Sequence, residues 1–589
     1  MRSALSISLR TLLCLIILSL FAVTAGAQFR AGVQGTVTDT SGAIIPEVTV
    51  TLTNKETNKT QTVTASDDGF YRFTSLPPGN YSLSAEKAGY KKQAIESLTV
   101  NAEETQGVDL KLEAGEVTAT VTITDTLAPQ LETENANIGK GITTQEVRQL
   151  PQAGRDPYEL LRLTPGVFGD AARGGGGAPV GLPNSTGPGG SNNSIFQVEN
   201  QPQISANGQR ISANNFQIDG VSVNSLQFGG AAVVTPNQES VKEIRVKSTT
   251  YSAEDGRNSG AQIQTVSQNG TNDFHGSAFL KYNSPKLNAF NKYGPGFGAA
   301  PERVQRLFRQ FGGSIGGPLP VPRFGEGEPP AFKLGRNRAF FFFSYEGLRE
   351  NSNGSEVRFV ETPQYRQQII AARPGSIVAN ILSSPGIAPR VTSVIPTTCA
   401  QANIGGNCQQ VAGGLDIGSP AGARGQYLSF GQLQGGGLDG IPDIQRVSVA
   451  LPRQTRSNQY NLRLDFTPTD RDQITFSTYM TKSDFLGSDS ASGARPSSDI
   501  RNRPTNLYGL LTYIRTLSAT TVNESRLSAT RFSFNELESS FGTNFGIPRI
   551  EIETYPFDRI RFGAPRSEAT PGVFAQNTFE FRDVLTNSR

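Results

Sequence analysis

Residues 457–480 read SNQYNLRLDFTPTDRDQITFSTYM. Tyr460, Leu462, Leu464 and Phe466 alternate with Asn461, Arg463 and Asp465. After the turn signal TPTDRD (467–472), Ile474, Phe476 and Met480 alternate with Thr475, Ser477 and the amphipathic Tyr479. Successive side chains of a strand point to opposite faces, so each of these strands has one apolar and one polar side. Two such strands joined by a short turn form a hairpin with its apolar side toward lipid and its polar side toward a lumen, as transmembrane barrels show. Strands expected at 506–516 and 521–534 repeat the pattern, with Glu524, Arg526, Ser528 and Thr530 sharing the lumen side of the second.

The same rule accounts for NRAFFFFSYEGLRE (337–350), which holds four consecutive phenylalanines, Phe340 to Phe343. The run is far short of the roughly 20 apolar residues a membrane helix needs. On a barrel strand, alternate phenylalanines face lipid, their neighbours pack inward, and Tyr345 lies near the interfacial aromatic girdle. The competing reading is a soluble sandwich strand buried on both faces.

Composition narrows the function. A chain of 589 residues predicts about two to four domains. Charged residues make up 18%, glycine numbers 63 and the net charge is +3, with no basic block among interleaved aromatics, so nucleic acid is set aside as a partner. His275 is the sole histidine, which removes the H-E-x-x-H zinc peptidases and leaves a Ser-His-Asp triad nothing else to be built on. The run GGGGAPVG (174–181) lacks the following Lys-Ser/Thr of a phosphate loop. The expectation is a protein that is no enzyme and holds no cofactor or metal. Only a glycosidase working with carboxylates alone survives the shortage of histidine.

The first 27 residues read as a secretory signal peptide. Leu12 to Val23 is almost wholly apolar, and Ala25-Gly26-Ala27 supplies the cleavage pattern, with Ala27 and Gln28 flanking the cut. Cys14 leaves with that peptide. Cys399 and Cys408, in TTCAQANIGGNCQQ (397–410), are then expected to close a loop by a disulfide in an oxidising compartment.

From residue 28 to 114 the chain alternates with period two. Val48, Val50 and Leu52 interleave with threonines, and Tyr81, Leu83 and Ala85 with Ser82, Ser84 and Glu86. Thr40-Ser41-Gly42, Asp67-Asp68-Gly69 and Pro77-Pro78-Gly79 supply turns, so a small β-sandwich is expected. Residues 115–140 are polar and Thr-rich and read as a linker. Residues 141–270 mix elements. Asp156 caps a helix opened by Pro157 and closed by Pro165-Gly166, Asn207-Gly208 and Asp219-Gly220 mark tight turns, and NQESVKEIRVKS (237–248) runs from a short helix into a strand. Another strand and an Asn269-Gly270 turn close this segment.

Two resemblances rest on these stretches. GTVTDTSGAIIPEVTVTLTN (35–54) with TASDDGFYRFTSLPPGNYSLSAEKAGY (64–90) resembles the carboxypeptidase regulatory-like domain, which implies a transthyretin-like sandwich without zinc ligands or peptidase activity. LPQAGRDPYELLRLTPGV (150–167), FQIDGVSVN (216–224), ESVKEIRV (239–246), YSAEDGRNSGAQIQTVSQNGTNDFHGS (251–277) and FRQFGGSIGGPL (308–319) follow one another in order. They resemble the plug and first barrel strands of TonB-dependent outer-membrane receptors, in particular the Oar-like group.

The resemblance implies a mainly β chain: signal peptide 1–27, sandwich 28–114, linker 115–140, an α/β plug 141–270, and an antiparallel transmembrane β-barrel from 271 to 589. Such receptors close about 22 strands, whereas about eight or nine candidate strands are legible here at roughly 9–11 residues per crossing. The closing FEFRDVLTNSR lacks a terminal aromatic strand, so an incomplete barrel is expected. The implied activity is energised uptake of a bulky polar ligand (oligosaccharide, peptide or metal chelate) held by loops 351–456 and 482–505. The implied partners are the inner-membrane TonB complex, outer-membrane lipid and the barrel assembly machinery. TonB would pull on a short extended segment, for which Glu116, Val117, Thr118, Ala119, Thr120, Val121 and Thr122 are the candidate; a plain interdomain linker is the equal reading. The alternative function is a secreted or surface-anchored β-rich adhesin.

Overall fold

The computed structural model describes residues 31–587 apart from 103, 116–119, 124–137, 153, 170–194, 198, 227–228, 252–257, 291–302, 304, 323–331, 405–407, 419–437, 488–494, 519–520, 539–548, 553–559 and 564–571. The signal-peptide reading, the cleavage point Ala27/Gln28 and positions 116–119 of the coupling candidate therefore lie outside the described residues.

The N-terminal module is a two-sheet sandwich. β1 (Gly32–Asp39), β4 (Phe70–Phe73), β7 (Thr105–Gly107) and β8 (Leu110–Leu112) form one sheet. β2 (Thr49–Asn54), β3 (Thr60–Thr64), β5 (Gly79–Glu86), β6 (Lys92–Val100) and β9 (Thr120–Ile123) form the other. The alternating Val48, Val50, Leu52, Tyr81, Leu83 and Ala85 are all buried in the core between them. Gly35 permits this closeness, since a Cβ there would stand 1.9 Å from the Val108 carbonyl oxygen. β9 corrects the linker expectation. Thr120–Ile123 is an edge strand laid parallel on β6, with Thr120 opposite Lys92 and Ile123 opposite Ile95.

A central domain follows, opening on β10 (Ile138–Thr143), three residues earlier than the expected start at 141. α1 (Thr144–Gln149) starts with a capping box between Thr143 and Glu146. The sheet of this domain combines β10 with β11 (Asn215–Ile218), β12 (Val221–Ser222), β13 (Val241–Thr249) and β14 (Gln262–Ser267). The expected helix at 157 is a 3-10 helix, Pro157–Leu163, with Asp156 accepting from the Tyr158 backbone N–H at its start. Asp219 and Gly220 both have positive φ and turn β11 into β12, as a two-residue hairpin loop requires. Asn269-Gly270 lies where this segment closes, carrying the chain from this sheet to the next. Gly270 runs so close to the next sheet that a Cβ would lie 2.3 Å from the Phe341 carbonyl oxygen.

The third part is an antiparallel meander of long strands, paired in chain order. These are β15 (His275–Asn283), β16 (Arg306–Pro318), β17 (Ala339–Glu361), β18 (Ile444–Thr469), β19 (Asp472–Gly487), β20 (Thr505–Thr516), β21 (Thr521–Glu538) and β22 (Gly572–Asn587). Side chains from seven of these strands reach the central domain, so the sheet wraps around it: Ser277, Gln310, Ser344, Gln459, Tyr479, Asn506 and Arg526 each bond to it.

The two faces divide as the alternation demands. Phe340 and Phe342 are buried inward, Phe342 stacking on His275 at the start of β15, while Phe343 is exposed on the outside. Leu280, Leu511, Leu527 and Phe581 continue the exposed apolar face on other strands. Tyr345 packs against Phe311 and Tyr460 on that outer side, and four residues farther on Arg349 bonds Asn458. The outer row of β17 thus changes from phenylalanine through tyrosine to arginine, the order in which apolar, interfacial and aqueous zones follow one another.

The expected loop 351–456 proves largely ordered. β17 and β18 stay in register from Ala339/Phe466 to Glu361/Ile444. Since roughly 9–11 residues cross the membrane, about 12 residues of ladder, near 40 Å, project beyond it. That projection carries α2 (Pro363–Ala372), α3 (Ile377–Ser383) and the Cys399–Cys408 disulfide, with Cα atoms 6.0 Å apart. Its strongest tie is a bidentate pair in which Arg495 donates to Glu361 at 2.8 and 2.6 Å, both residues buried. Arg495→Ala is expected to leave Glu361 buried without its main partner, at a local cost of about 3 kcal/mol. Limited proteolysis of the membrane-inserted protein checks this: the variant should be cut between 384 and 500 much faster than the parent, and equal rates would refute it.

Candidate functional site

The polar face of the wrapped sheet meets the central domain at two charged clusters. The first is built on the Asp219-Gly220 turn. Asp219 accepts from the Ser267 backbone N–H at 2.8 Å and from its hydroxyl at 2.6 Å, which closes β14 onto the turn. Arg463 of β18 reaches in from the sheet. It donates to the Ser267 carbonyl and hydroxyl oxygens, each at 2.9 Å, stands 3.9 Å from the Asp219 carboxylate, and is held by Asp465 at 2.9 Å. From β21, Arg526 donates to the Asp219 carbonyl at 3.1 Å, and Tyr508 of β20 donates to the Ile218 carbonyl at 2.9 Å. Three strands of the wall therefore grip one hairpin.

The second cluster surrounds Arg155, whose φ of 58° turns the backbone sharply just before the Asp156 cap. Its guanidinium donates to Glu239 at 2.9 Å, lies 3.6 Å from Glu346 of β17 and covers the Phe279 ring of β15 at 3.6 Å. Gln310 of β16 donates to Glu346 at 2.6 Å, and Lys281 donates to the Gln152 carbonyl at 3.1 Å. Burial pushes Asp156 up to about 7, helped by the charge of Glu159 and opposed by hydrogen bonds from Tyr158 and Asn200. A carboxyl whose pKa rises on folding binds its proton more tightly in the native state. The stability from this cap is therefore full below the usual carboxylate range and is lost as pH climbs to about 7.

Apolar packing joins the two parts as well. Tyr479, Phe485, Tyr508 and Phe534 of the wall share one buried core with Tyr158, Phe216, Ile218 and Ile263 of the central domain. The inward Glu524, Arg526, Ser528 and Thr530 of β21 are all buried, on the side the alternation assigns them. Nothing local in the sequence marks Arg155 or Asp219 as partners of the wall. Both sit beside turn signals, and only the fold brings the arginines and carboxylates of distant strands to them.

A third junction lies at the rim bearing the short strand connections. The β2–β3 turn of the sandwich inserts there. Lys242 of β13 bonds Glu56 at 2.9 Å, the Asn272 backbone N–H donates to the Glu56 carbonyl at 3.0 Å, Asn58 donates to Asn337 at 3.3 Å, and Lys59 donates to Gln473 at 3.1 Å. Burial pulls the Lys59 ammonium below its ordinary range. After β6, the Ala102 backbone N–H donates to Glu243 at 2.8 Å and Arg245 stands 3.5 Å from Glu104. An open crevice lies among the three parts, lined by Glu56, Lys59, Lys242, Asn337, Phe340 and Gln473. Among the described residues no group of three or more His, Cys, Asp or Glu side chains is arranged to hold a metal ion, and no helix is long and apolar enough to cross a membrane.

Comparison with known proteins fits this architecture. The model of the outer membrane beta barrel domain matches residues 266–589, and that of the carboxypeptidase regulatory-like domain matches residues 32–113. The TonB-dependent transporter Oar of Myxococcus xanthus is 27% identical over 304 residues, which is 51% of this chain and 26% of that protein. Among solved structures, the outer membrane transporter YddB from Escherichia coli is 11% identical with a TM-score of 0.41, covering 77% of this chain and 46% of its own. A point mutant of the ferric enterobactin receptor PfeA from Pseudomonas aeruginosa is 12% identical with a TM-score of 0.36, covering 76% and 46%. The chain spans about a quarter of the length of Oar and under half of these two structures. With the barrel model matched over more than half of its residues, the chain belongs to the outer membrane β-barrel family and resides in the outer membrane.

Proposed function

We propose that this chain works as a TonB-dependent transporter, in which residues 138–267 are the plug and the wrapped sheet is part of the barrel wall. The observation that carries this reading is the double grip on the central domain. An α/β domain with its own sheet is held inside an outward-apolar sheet by Arg463 and Arg526 at one hairpin and by Glu346 at Arg155. A barrel too wide to fill with its own side chains is either left as a water channel or closed by a plug, and here a domain occupies the lumen face. The export signal is removed after Ala27, the wall is inserted by the barrel assembly machinery into outer-membrane lipid, and the projecting loops meet a bulky polar ligand. The similar proteins are named as transporters, Oar and YddB, and a receptor, PfeA.

Energy would enter through an extended segment pairing with the sheet edge of the TonB periplasmic domain. Thr120–Thr122 of the candidate lie in β9, itself an edge strand of the sandwich. The test places a photo-crosslinking residue at Val121 in the full chain, in outer membranes, with the purified TonB periplasmic domain as probe. Capture is expected, together with an intact mass that starts at Gln28. An adhesin would reach the same membrane and show no capture. Absence of capture beside a receptor control that is captured would sink the transporter reading.

A further inference from the structure

We propose that the N-terminal sandwich is a displaceable gate seated on the periplasmic rim, with β9 as the handle that lifts it. This inference rests on the transporter reading for the source of the pull, but the seat itself stands on contacts of this chain. Short connections between barrel strands mark the periplasmic side. The sandwich touches the short β18–β19 turn near Gln473, Asn337 in the longer connection that enters β17 at the same end of the sheet, and β13 of the central domain. It therefore bridges wall and central domain at the mouth through which a passing ligand would leave.

The ion pairs of the seat are wetter than the pair at Asp219. Glu56–Lys242 and Glu104–Arg245 keep between 7% and 26% of their side-chain surface in water, whereas Arg463 and Asp219 keep 6% and 4%. Asn58 and Asn337 meet in the open. No shared apolar cluster joins sandwich and central domain among the described residues, since the sandwich core is its own. Polar, half-wet contacts between domains separate and re-form readily and weaken with salt. The grip on the central domain, buried and apolar as well as charged, does neither.

β9 ties the gate to the pull. It pairs along Lys92–Ile95 of β6, and the loop that leaves β6 carries Ala102 and Glu104, the residues seated on Glu243 and Arg245. Tension applied to β9 thus passes into β6 and from there to the seat.

The test uses the full chain carrying Asn58→Cys and Asn337→Cys in outer-membrane vesicles. Oxidation is expected to cross-link most of the protein at low salt, with a yield at least threefold lower in 1 M NaCl or with Lys242→Ala and Glu104→Gln added. No cross-link at low salt would mean that the sandwich does not sit on the rim, and a yield indifferent to salt and to both substitutions would mean a fixed domain; either overturns the gate. The handle is read by adding the purified TonB periplasmic domain, which should lower the yield severalfold. The pair Thr120→Pro and Val121→Pro should abolish that drop, because in a parallel pairing alternate residues bond to the neighbour and one of the two must serve β6. TonB domain that co-sediments with the vesicles but leaves the yield unchanged overturns the handle and spares the transporter reading. TonB domain that does not co-sediment counts against that reading, while the salt and substitution arm still decides the gate.

Discussion

Arg463→Met is expected to destabilise the seat of the central domain by about 3–5 kcal/mol, the range for breaking a buried pair by removing one partner. Methionine keeps most of the stem volume, so the effect isolates the guanidinium. What is lost is the pair of 2.9 Å bonds to Ser267 and the charge that faces Asp219 and Asp465 together. Asp219 keeps its two donors from Ser267, and Asp465 keeps the Thr475 hydroxyl at 2.9 Å, but both carboxylates would then lie together in a buried site without a cation between them. The measurement is denaturant unfolding of the detergent-solubilised protein, with protease cutting inside residues 138–267 as a second readout. Adding Asp465→Asn to the variant should recover part of the loss, because it removes one of the stranded charges, and the cycle yields the coupling. A single variant within about 1 kcal/mol of the parent would show that the apolar core alone holds the domain.

Arg155 offers the second large effect, and one with an internal control. Arg155→Ala is expected to cost about 3–5 kcal/mol, since it strips Glu346 and Glu239 of their shared cation and uncovers the Phe279 ring. Arg155→Gly removes the same contacts at a position whose φ is 58°. Alanine meets a steric penalty there that glycine does not, so the glycine variant should retain about 1 kcal/mol more stability than the alanine one. Arg155→Lys should fall between them and the parent, because an ammonium keeps the charge without the planar fork. The same unfolding and proteolysis measurements apply. Glycine equal to or worse than alanine would refute the backbone argument, and both variants near the parent would refute the grip.

The alternation at 457–480 was enough to place Asn461, Arg463, Thr475, Ser477 and Tyr479 on the inward face and Tyr460, Phe466 and Phe476 on the outward one. The reason is that period two is a local property, decided by the geometry of one strand. The same holds for the phenylalanine run, where Phe340 and Phe342 turn inward and Phe343 outward, and for the sandwich residues from Val48 to Leu52. The Asp156 cap and the Asp219-Gly220 turn were legible for a related reason, since caps and two-residue loops depend on a few adjacent backbone angles. At Asn269-Gly270 the sequence marked the end of the segment, but not that the glycine lets the backbone approach Phe341 in another sheet.

What the sequence by itself determined is thus the class of each segment and the facing of its side chains. The tertiary structure alone decided the partners: Arg463 with Ser267 across 196 positions, Arg526 with Asp219 across 307, Lys59 with Gln473 across 414. It also turned four residues of an expected linker into β9, and extended β17 and β18 through an expected loop. Such pairings depend on which surfaces the wrapped sheet brings together. A polar side chain on a lumen face carries no mark of the domain that will fill the lumen, nor a linker threonine of the strand edge left open beside it.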